Sequence, residues 1–200
     1  MSINKIRNAV LDSIAVKKEI SEDQNLLNKV MKLSNDCVTC LKNGGKIIFC
    51  GNGGSFADAQ HLSAEFTSRF MFDRPALASI ALGTNNSGIT AMANDYGYKN
   101  VFSRELDAVG QIGDFLIAMT TSGNSLNILN AVELAQKTGI QSLVLTGSSG
   151  GEIAAKADCL HIPSEDTPRI QESHILIGHI VCQLVEQEMF PELARHHLSN

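Results

Sequence analysis

The feature that most constrains the fold of this chain is an alternation of short apolar runs with helical stretches, which begins after Gly44-Gly45. The apolar runs are nearly continuous, as in strands that are buried on both faces of a parallel sheet. Such alternation predicts an α/β protein with helices on both faces of a parallel sheet. The predicted strands are Lys46 to Cys50, Ala76 to Leu82, Asp114 to Thr120, Gln141 to Thr146 and Cys159 to Pro163.

Helices are predicted before the first strand and between the later ones. Residues 4 to 19 and 22 to 43 form two amphipathic patterns, and Ser21 with Gln24 resembles a capping box at the start of the second. We expect these two helices to pack on the sheet or on another subunit. The later predicted helices are Ser55 to Arg69, Asn100 to Val109, Ser125 to Thr138, Gly151 to Ala157 and Thr167 to Phe190.

The length and composition predict one domain and exclude several classes of function. No repeat or linker divides the chain, so we expect a single domain over 1–200, with a helical segment at 1–44 and an α/β core at 45–190. A net charge of −5 without a basic stripe argues against nucleic-acid binding. The chain has neither a membrane-length apolar run nor a signal-peptide pattern, so we expect a cytoplasmic protein with no membrane partner.

The five cysteines are expected to be reduced thiols. Cys37 and Cys40 form a C-x-x-C pair, for which a redox or zinc role is the alternative to a place in the core. The pair lies deep in a predicted helix, and no second pair follows it. Both observations favour the core role.

The first predicted strand runs directly into Gly51-Asn52-Gly53-Gly54-Ser55 and then a helix. Small residues allow backbone N–H groups to approach a ligand, and a helix start favours anions. A dinucleotide fingerprint would need glycine in place of Phe56, and the Gly-Lys-Ser/Thr of a P-loop is absent. This glycine loop is therefore a candidate ligand loop, with a tight turn that binds nothing as the alternative.

The third predicted strand ends in Thr120-Thr121-Ser122-Gly123-Asn124-Ser125, which places four hydroxyl groups at a helix N-terminus. Hydroxyl and free N–H donors can hold a phosphate there without Lys or Arg, because the helix end carries about half a positive charge. Ser125 alone could be an N-cap, but that leaves three hydroxyls unexplained. The fourth strand is followed by a similar segment at 146–151, where an ordinary turn is at least as good an interpretation.

Two predicted helices carry polar residues that could act together. His61 and Glu65 are four residues apart on one helix face, where they could share a metal or a substrate, or form a solvated pair. Gln171 and His179 lie among apolar residues of the last long helix, in which a histidine is more typical of the core. Both can face one cleft, but about 12 Å of helical rise would stretch both side chains around a shared metal.

Together, these motifs resemble those of the phosphoheptose isomerases, in the sugar-isomerase (SIS) domain superfamily. The resemblance covers nearly the whole chain. It implies a three-layer sandwich of flavodoxin-like architecture, in which helices flank a five-stranded parallel sheet and two further helices precede it. It also implies a homotetramer with sites at the subunit interfaces. The strongest stretches are 50–55, 61–65, 93–97, 121–125 and 169–172, followed by His179.

The resemblance also implies roles for individual residues. Pro168 stands where some relatives have an aspartate, so any role of that carboxylate is absent here or supplied by another residue. The implied metal, one zinc per subunit, falls on His61, Glu65, Gln171 and His179. The implied substrate-binding residues are Asn52, Gly53, Gly54, Ser55, Glu65, Asn94, Asp95 and Gln171 for the sugar, with Thr120, Thr121, Ser122 and Ser125 for the phosphate.

The implied reaction interconverts sedoheptulose 7-phosphate and D-glycero-D-manno-heptose 7-phosphate, the first step of nucleotide-heptose biosynthesis for lipopolysaccharide, capsule or another glycan. Proton transfer through an enediol needs a base near C1 and C2 and an acid at the oxygens. We assign Glu65 as the base and His179 as its partner, with zinc polarising the carbonyl. A metal-free acid/base scheme is an open alternative.

A non-catalytic SIS-domain protein associated with replication initiation is the competing class of function. Such a protein acts through protein contacts and has no need for Glu65 and His179 beside intact sugar and phosphate loops. Because the sequence carries all of these together, we favour catalysis.

Overall fold

The computed structural model describes residues 1–198. It contains one parallel sheet of five strands: β1 (Ile47–Gly51), β2 (Ser79–Ala81), β3 (Phe115–Thr120), β4 (Gln141–Thr146) and β5 (Cys159–His161). Their order across the sheet is β2-β1-β3-β4-β5, which is the flavodoxin-like order. The predicted five-stranded parallel sheet is confirmed. Gly51 pairs in register with Met119, and Thr120 with Thr146, so the loops after β1, β3 and β4 share one edge.

Helices cover both faces of this sheet. In one layer α2, α3 and α7 pack on the sheet with α1 outside them, and the other layer contains α5 and α6. The helices are α1 (Ile3–Glu22), α2 (Gln24–Lys42), α3 (Gly54–Thr67), α4 (Asn86–Tyr96), α5 (Val101–Val109), α6 (Leu126–Thr138), α7 (Thr167–Met189) and α8 (Pro191–Leu198), with short 3-10 helices at Tyr98–Asn100 and Gly151–Ala155.

Alternate residues of the central strands point into the two layers. Ile47 and Phe49 of β1 belong to the apolar cluster under α2, α3 and α7. Ile48 and Cys50 belong to the cluster under α5 and α6. Every residue of β1 and β3 is buried, which explains why these strands read as unbroken apolar runs.

Several local predictions need correction. Ser21 lies in the last turn of α1, and Asp23 caps α2 instead, because its carboxylate accepts from the backbone N–H groups of Asn25 and Leu26 at 2.9 and 3.1 Å. The strand predicted at 76–82 is limited to Ser79–Ala81 at the sheet edge. The helix predicted at 151–157 is a 3-10 helix. The sequence analysis missed α4, in which no residue is fully buried and only a short half-buried face, with Ile89 and Met92, packs against the core.

All five cysteines are free and buried, which confirms the core role predicted for Cys37 and Cys40. Burial raises the pKa of the Cys37 thiol and raises that of Cys50 to about 12. These thiols are therefore protonated and unreactive at neutral pH. None of the helices within residues 1–198 has the length and apolar character needed to cross a membrane.

Candidate active site

Three of the predicted metal-binding side chains converge between α3 and α7. His61 and Glu65 project from α3 and His179 from α7, and their ligand atoms lie within 4.8 Å of one another. His61 Nε2 is 2.9 Å from Glu65 Oε1, and the two imidazole ring centroids are 5.0 Å apart. Within the described part of the chain, this is the one group of His, Cys, Asp or Glu side chains with metal-binding spacing.

A close approach of α3 to α7 makes this cluster possible. Gly178 permits this close approach, because a Cβ atom at that position would lie only 2.5 Å from Leu62 Cδ1. Leu62 and Gly178 directly adjoin His61 and His179 in sequence, so tight packing at this point brings the two rings together. The cluster thus depends on a glycine that precedes one of its own members.

His179 is held between two rings. It stacks on Phe70 with a centroid distance of 5.3 Å and meets His61 edge to face on the other side. Its Nε2 atom is buried without a hydrogen-bond partner among the described residues. Burial and the neighbouring His61 lower the pKa of His179, while the charge of Glu65 opposes them. A neutral imidazole with an uncommitted nitrogen is suited to proton exchange or metal coordination.

Buried charges fix the end of α3 below Glu65. The Arg74 guanidinium donates to the Glu65 carbonyl oxygen at 2.7 Å and pairs with the Glu186 carboxylate of α7 at 2.9 Å. Glu186 also accepts from the backbone N–H groups of Phe70 and Met71 at 3.0 and 2.8 Å. Because both charges are buried and well hydrogen-bonded, this pair holds Glu65 and Phe70 at a fixed place beside α7.

The fourth predicted metal position, Gln171, lies apart from these three. Its amide packs against the start of α3, where a Cβ atom on Gly54 would be 2.5 Å from Gln171 Nε2. Gly54 precedes His61 by seven residues, or about 10 Å along the helix axis. The Gln171 amide would have to turn toward His61 to share a metal with it. In the structure it lies at the glycine loop, beside other predicted sugar-binding residues.

The glycine loop makes a tight turn between β1 and α3. A Cβ atom at Gly51 would lie 2.4 Å from the Ser55 carbonyl oxygen. Gly53, the residue before α3, has φ 56° and ψ −118°, a conformation that residues with a Cβ atom rarely adopt. Gly53 and Gly54 are exposed, whereas Ser55 is buried. The first N–H groups of α3 can therefore be approached from the cleft.

Asn52 is tied to α6 by a pair of amide hydrogen bonds. Asn52 Nδ2 donates to Asn127 Oδ1, and Asn127 Nδ2 donates back to Asn52 Oδ1, both at 2.9 Å. The Tyr98 hydroxyl also donates to Asn52 Oδ1, at 2.8 Å. A cavity of about 160 Å³ lies alongside, lined in part by Asn52, Gly53, Phe56 and Tyr98.

The predicted phosphate loop, Thr120 to Ser125, connects β3 to α6. Gly123 N donates to Thr120 Oγ1 at 3.2 Å, and Asn124 N donates to Ser122 Oγ at 3.2 Å. The Ser125 hydroxyl makes no capping bond, and the first turn of α6 has no acidic residue. The interpretation of Ser125 as a side-chain N-cap is therefore wrong, and its hydroxyl instead accepts from Thr120 Oγ1 at 3.4 Å.

The loop after β4 supports the phosphate loop from one side. Gly147 N donates to the Thr121 carbonyl at 3.2 Å, and Ile153 N donates to the Gly123 carbonyl at 3.1 Å. Gly123, with φ 69°, leaves no room for a side chain against the Gly150 carbonyl. The residues that follow β4, up to Ile153, therefore support the phosphate loop through backbone hydrogen bonds.

Asn94 and Asp95 lie in the last turn of α4, where both are exposed. Asn94 Nδ2 donates to Asp95 Oδ1 at 2.8 Å. Pro168 occupies the first turn of α7, a position that suits proline because no intrahelical N–H donor is needed there.

Three polar residues near the site escaped the sequence analysis. Asp58 lies on α3, three residues before His61, and has one buried carboxylate oxygen without a hydrogen-bond partner in the described chain. Burial raises its pKa, and His61 opposes the shift. Helical spacing could have indicated Asp58, since it shares a face with His61 and Glu65. Asn127 and Tyr98 reach Asn52 across elements, which no local pattern reveals.

The candidate site has two parts, the loops at the carboxyl edge of the sheet and the cluster between α3 and α7. The glycine loop and the phosphate loop follow the adjacent strands β1 and β3, and the two imidazoles and the carboxylate lie farther along α3 and α7, about 10 Å or more from the glycine loop along the α3 axis. The loops offer N–H and hydroxyl donors for a phosphorylated ligand. The cluster offers a carboxylate and a neutral histidine, the groups needed for proton transfer.

Comparisons with known proteins identify the family of this chain. Residues 11–147 match the SIS domain family model. Over 186 residues, the chain is 52% identical to the phosphoheptose isomerase of Sulfurimonas denitrificans, with 92% of this chain and 95% of the relative covered. It is 50% identical to that of Aneurinibacillus thermoaerophilus, with 92% and 94% covered.

Solved structures of phosphoheptose isomerases also resemble this chain. A phosphoheptose isomerase from Neisseria gonorrhoeae superposes with a TM-score of 0.86 at 40% identity, covering 92% of this chain and 98% of that one. One from Francisella tularensis gives 0.88 at 36% identity, covering 94% and 99%. The fold, the motifs and these relatives lead to one conclusion: this chain belongs to the phosphoheptose isomerase family of SIS-domain proteins.

Proposed function

We propose that this protein interconverts sedoheptulose 7-phosphate and D-glycero-D-manno-heptose 7-phosphate, as the first step of nucleotide-heptose biosynthesis. The observation that carries the proposal is the convergence of His61, Glu65 and His179 between α7 and α3, the helix that starts at the glycine loop. The names of relatives about half identical over nearly the whole chain supply the substrate class. A charged sugar phosphate of intracellular metabolism also favours a cytoplasmic location.

Glu65 and His179 divide the proton transfers in this proposal. The Glu65 carboxylate removes the proton from the carbon next to the substrate carbonyl and returns it to the neighbouring carbon, so that an enediol links ketose and aldose. His179 exchanges a proton with the enediol oxygens, a task for which its lowered pKa and its free ring nitrogen suit it. The stacking of His179 on Phe70 keeps the ring in place during the transfer.

The loops hold the two ends of the substrate. In the proposal the phosphate lies at the N-terminus of α6, among the hydroxyls and N–H groups of Thr120, Thr121, Ser122 and Ser125. The sugar lies along the glycine loop, within reach of Asn52, Ser55 and the Gln171 amide. The absence of an acidic residue in the first turn of α6 supports an anion site there.

As the rival to this direct acid/base scheme, we propose a metal-assisted scheme in which one zinc ion per subunit is held by His61, Glu65 and His179, with Gln171 as a fourth ligand after its amide turns. A zinc-bound Glu65 or His179 could not exchange the same protons freely, so the two schemes exclude each other. The three clustered side chains fit such an ion, because two imidazoles and a carboxylate are common zinc ligands and His179 Nε2 lacks another partner in the described chain. When bound, the metal would polarise the substrate carbonyl.

Removal of metal tests this second proposal. Exhaustive chelation should depress isomerisation, and added zinc should restore it in the parent protein but not in His61→Ala, which loses one imidazole ligand. Elemental analysis of the purified protein should find about one zinc per chain. Full activity after chelation, with no metal detected, would leave the metal-free scheme through Glu65 and His179.

A homotetramer with sites at subunit interfaces completes the proposal. The outer face of α1 supports it, because Ile3, Ile6, Val10 and Ile14 are each more than half exposed. A groove of about 910 Å³ runs along this face and includes Arg169 and Glu172 of α7. Contact with other copies would cover these apolar side chains. Light scattering should give a mass near four chains, and a monomer in solution would contradict the assembly.

The proposed activity has a direct test. Purified protein incubated with sedoheptulose 7-phosphate should produce aldose phosphate, followed by NMR of the anomeric protons. Unphosphorylated sedoheptulose is the matched control and should react far more slowly, because it lacks the group that the Thr120–Ser125 loop binds. No aldose phosphate from sedoheptulose 7-phosphate would refute the function.

A further inference from the structure

Asn127 is a buried polar residue to which the proposed reaction gives no role. It lies in the first turn of α6, just after the phosphate loop, and is 3% exposed. Its side chain meets Asn52 of the glycine loop in two hydrogen bonds of 2.9 Å. A buried asparagine must satisfy its amide, and here Asn52 is the partner.

These hydrogen bonds determine which donors and acceptors of the Asn52 side chain remain free for a substrate. An asparagine amide has two lone pairs on its oxygen and two N–H donors. Asn127 Nδ2 and the Tyr98 hydroxyl both donate to Asn52 Oδ1, at 2.9 and 2.8 Å, so this oxygen is fully used. One N–H of Asn52 donates to Asn127 Oδ1. A single N–H donor therefore remains for a ligand.

The same helix also fixes the segment that carries Tyr98. Asn130, one turn after Asn127, donates to the Lys99 carbonyl at 2.8 Å and to Asn100 Oδ1 at 3.0 Å. Tyr98 begins this segment and reaches back to Asn52. Helix α6 therefore holds Asn52 in two ways, directly through Asn127 and indirectly through Asn130 and Tyr98.

We propose that Asn127 is a positioning residue that fixes the Asn52 amide so that its one free N–H faces the sugar. The inference rests on the proposed function and deepens it. A preorganised N–H donor suits an oxygen of the bound sugar, because it loses little freedom when the substrate binds. Without Asn127, the Asn52 amide can rotate and present its oxygen or its nitrogen to the ligand, so this donor is no longer aligned.

Replacement of Asn127 by leucine, which has similar volume, tests the proposal without leaving a cavity. Asn127→Leu should lower kcat/KM for sedoheptulose 7-phosphate by about tenfold, a typical loss for one positioned hydrogen bond. Asn127→Ala is the second variant, with the same expected direction. Gln136→Ala is the matched control: Gln136 is another amide on α6, which donates to the Lys156 carbonyl at 2.6 Å far from the glycine loop. Its kcat/KM should stay within about twofold of the parent value.

A double-mutant cycle separates positioning from a general structural role. If Asn127 acts through Asn52, then Asn52→Ala with Asn127→Leu should lose no more kcat/KM than Asn52→Ala alone. Binding of inorganic phosphate, measured by calorimetry, should be unchanged in Asn127→Leu, because the phosphate loop does not depend on the amide pair.

Four outcomes would overturn the proposal. Additive losses in the cycle, or an Asn127→Leu protein with parental kcat/KM, would show that Asn127 does not act through Asn52. An equal loss of inorganic phosphate affinity would assign Asn127 to the phosphate loop instead. If the parent protein does not isomerise sedoheptulose 7-phosphate at all, the proposed function fails and this inference fails with it.

Discussion

At the scale of single residues, His174 shows how burial alone sets the protonation of a group. It is completely buried in α7, where its Nε2 atom is 3.4 Å from the Thr146 carbonyl oxygen. Its Nδ1 atom has no hydrogen-bond partner in the described chain. Burial lowers the pKa of His174 to about 4, against the opposing effect of the Thr146 carbonyl.

The lowered pKa of His174 predicts that its contribution to the stability of the fold is lost in acid. The folded pKa of His174, about 4, lies below its ordinary value of 6.5, so the neutral form is favoured in the folded protein. The contribution of neutral His174 to the free energy of unfolding is fully present above pH 6.5 and is lost as the pH falls from 6.5 through 4. It amounts to at most about 3 kcal/mol. Unfolding by denaturant should show a smaller loss of stability over this range in His174→Gln than in the parent protein, and equal losses would contradict the assignment.

At the scale of elements, the sequence pattern correctly located the strands that contain an unbroken run of buried apolar residues. The strands β1, β3 and β4 were located to within one residue, because each contains an unbroken buried apolar run, at 47–50, 115–119 and 143–145. The edge strand β2 was predicted too long, and α4 was missed because its contacts within the chain are few and shallow. Elements with weak burial lack the periodicity on which such prediction depends.

The N-terminus of α6 gives the element-scale prediction. Ser122→Ala combined with Ser125→Ala should weaken binding of sedoheptulose 7-phosphate by about tenfold or more, since two hydroxyl donors to the phosphate are lost. Binding of unphosphorylated sedoheptulose should hardly change, and calorimetry can compare the two ligands. Equal losses for both would mean that these hydroxyls serve only the local structure of the loop.

At the scale of the whole molecule, the candidate site depends on contacts between distant parts of the chain. His61 and Glu65 were predictable as a pair because helical spacing relates them. That His179 joins them follows from the packing of α7 on α3 at Gly178, which spacing cannot show, and it entered the sequence analysis only through the family resemblance. The place of Gln171 against Gly54 and the Asn52–Asn127 pair also required the three-dimensional structure.

The central claim is that Glu65 transfers the proton in the isomerisation. The most direct measurement is kcat for sedoheptulose 7-phosphate in Glu65→Gln, which keeps the shape of the side chain and removes the carboxylate. The account predicts a fall of at least about 100-fold, a typical general-base contribution, with the folded structure retained by circular dichroism. A folded Glu65→Gln protein that turns over at nearly the parental rate would contradict the account.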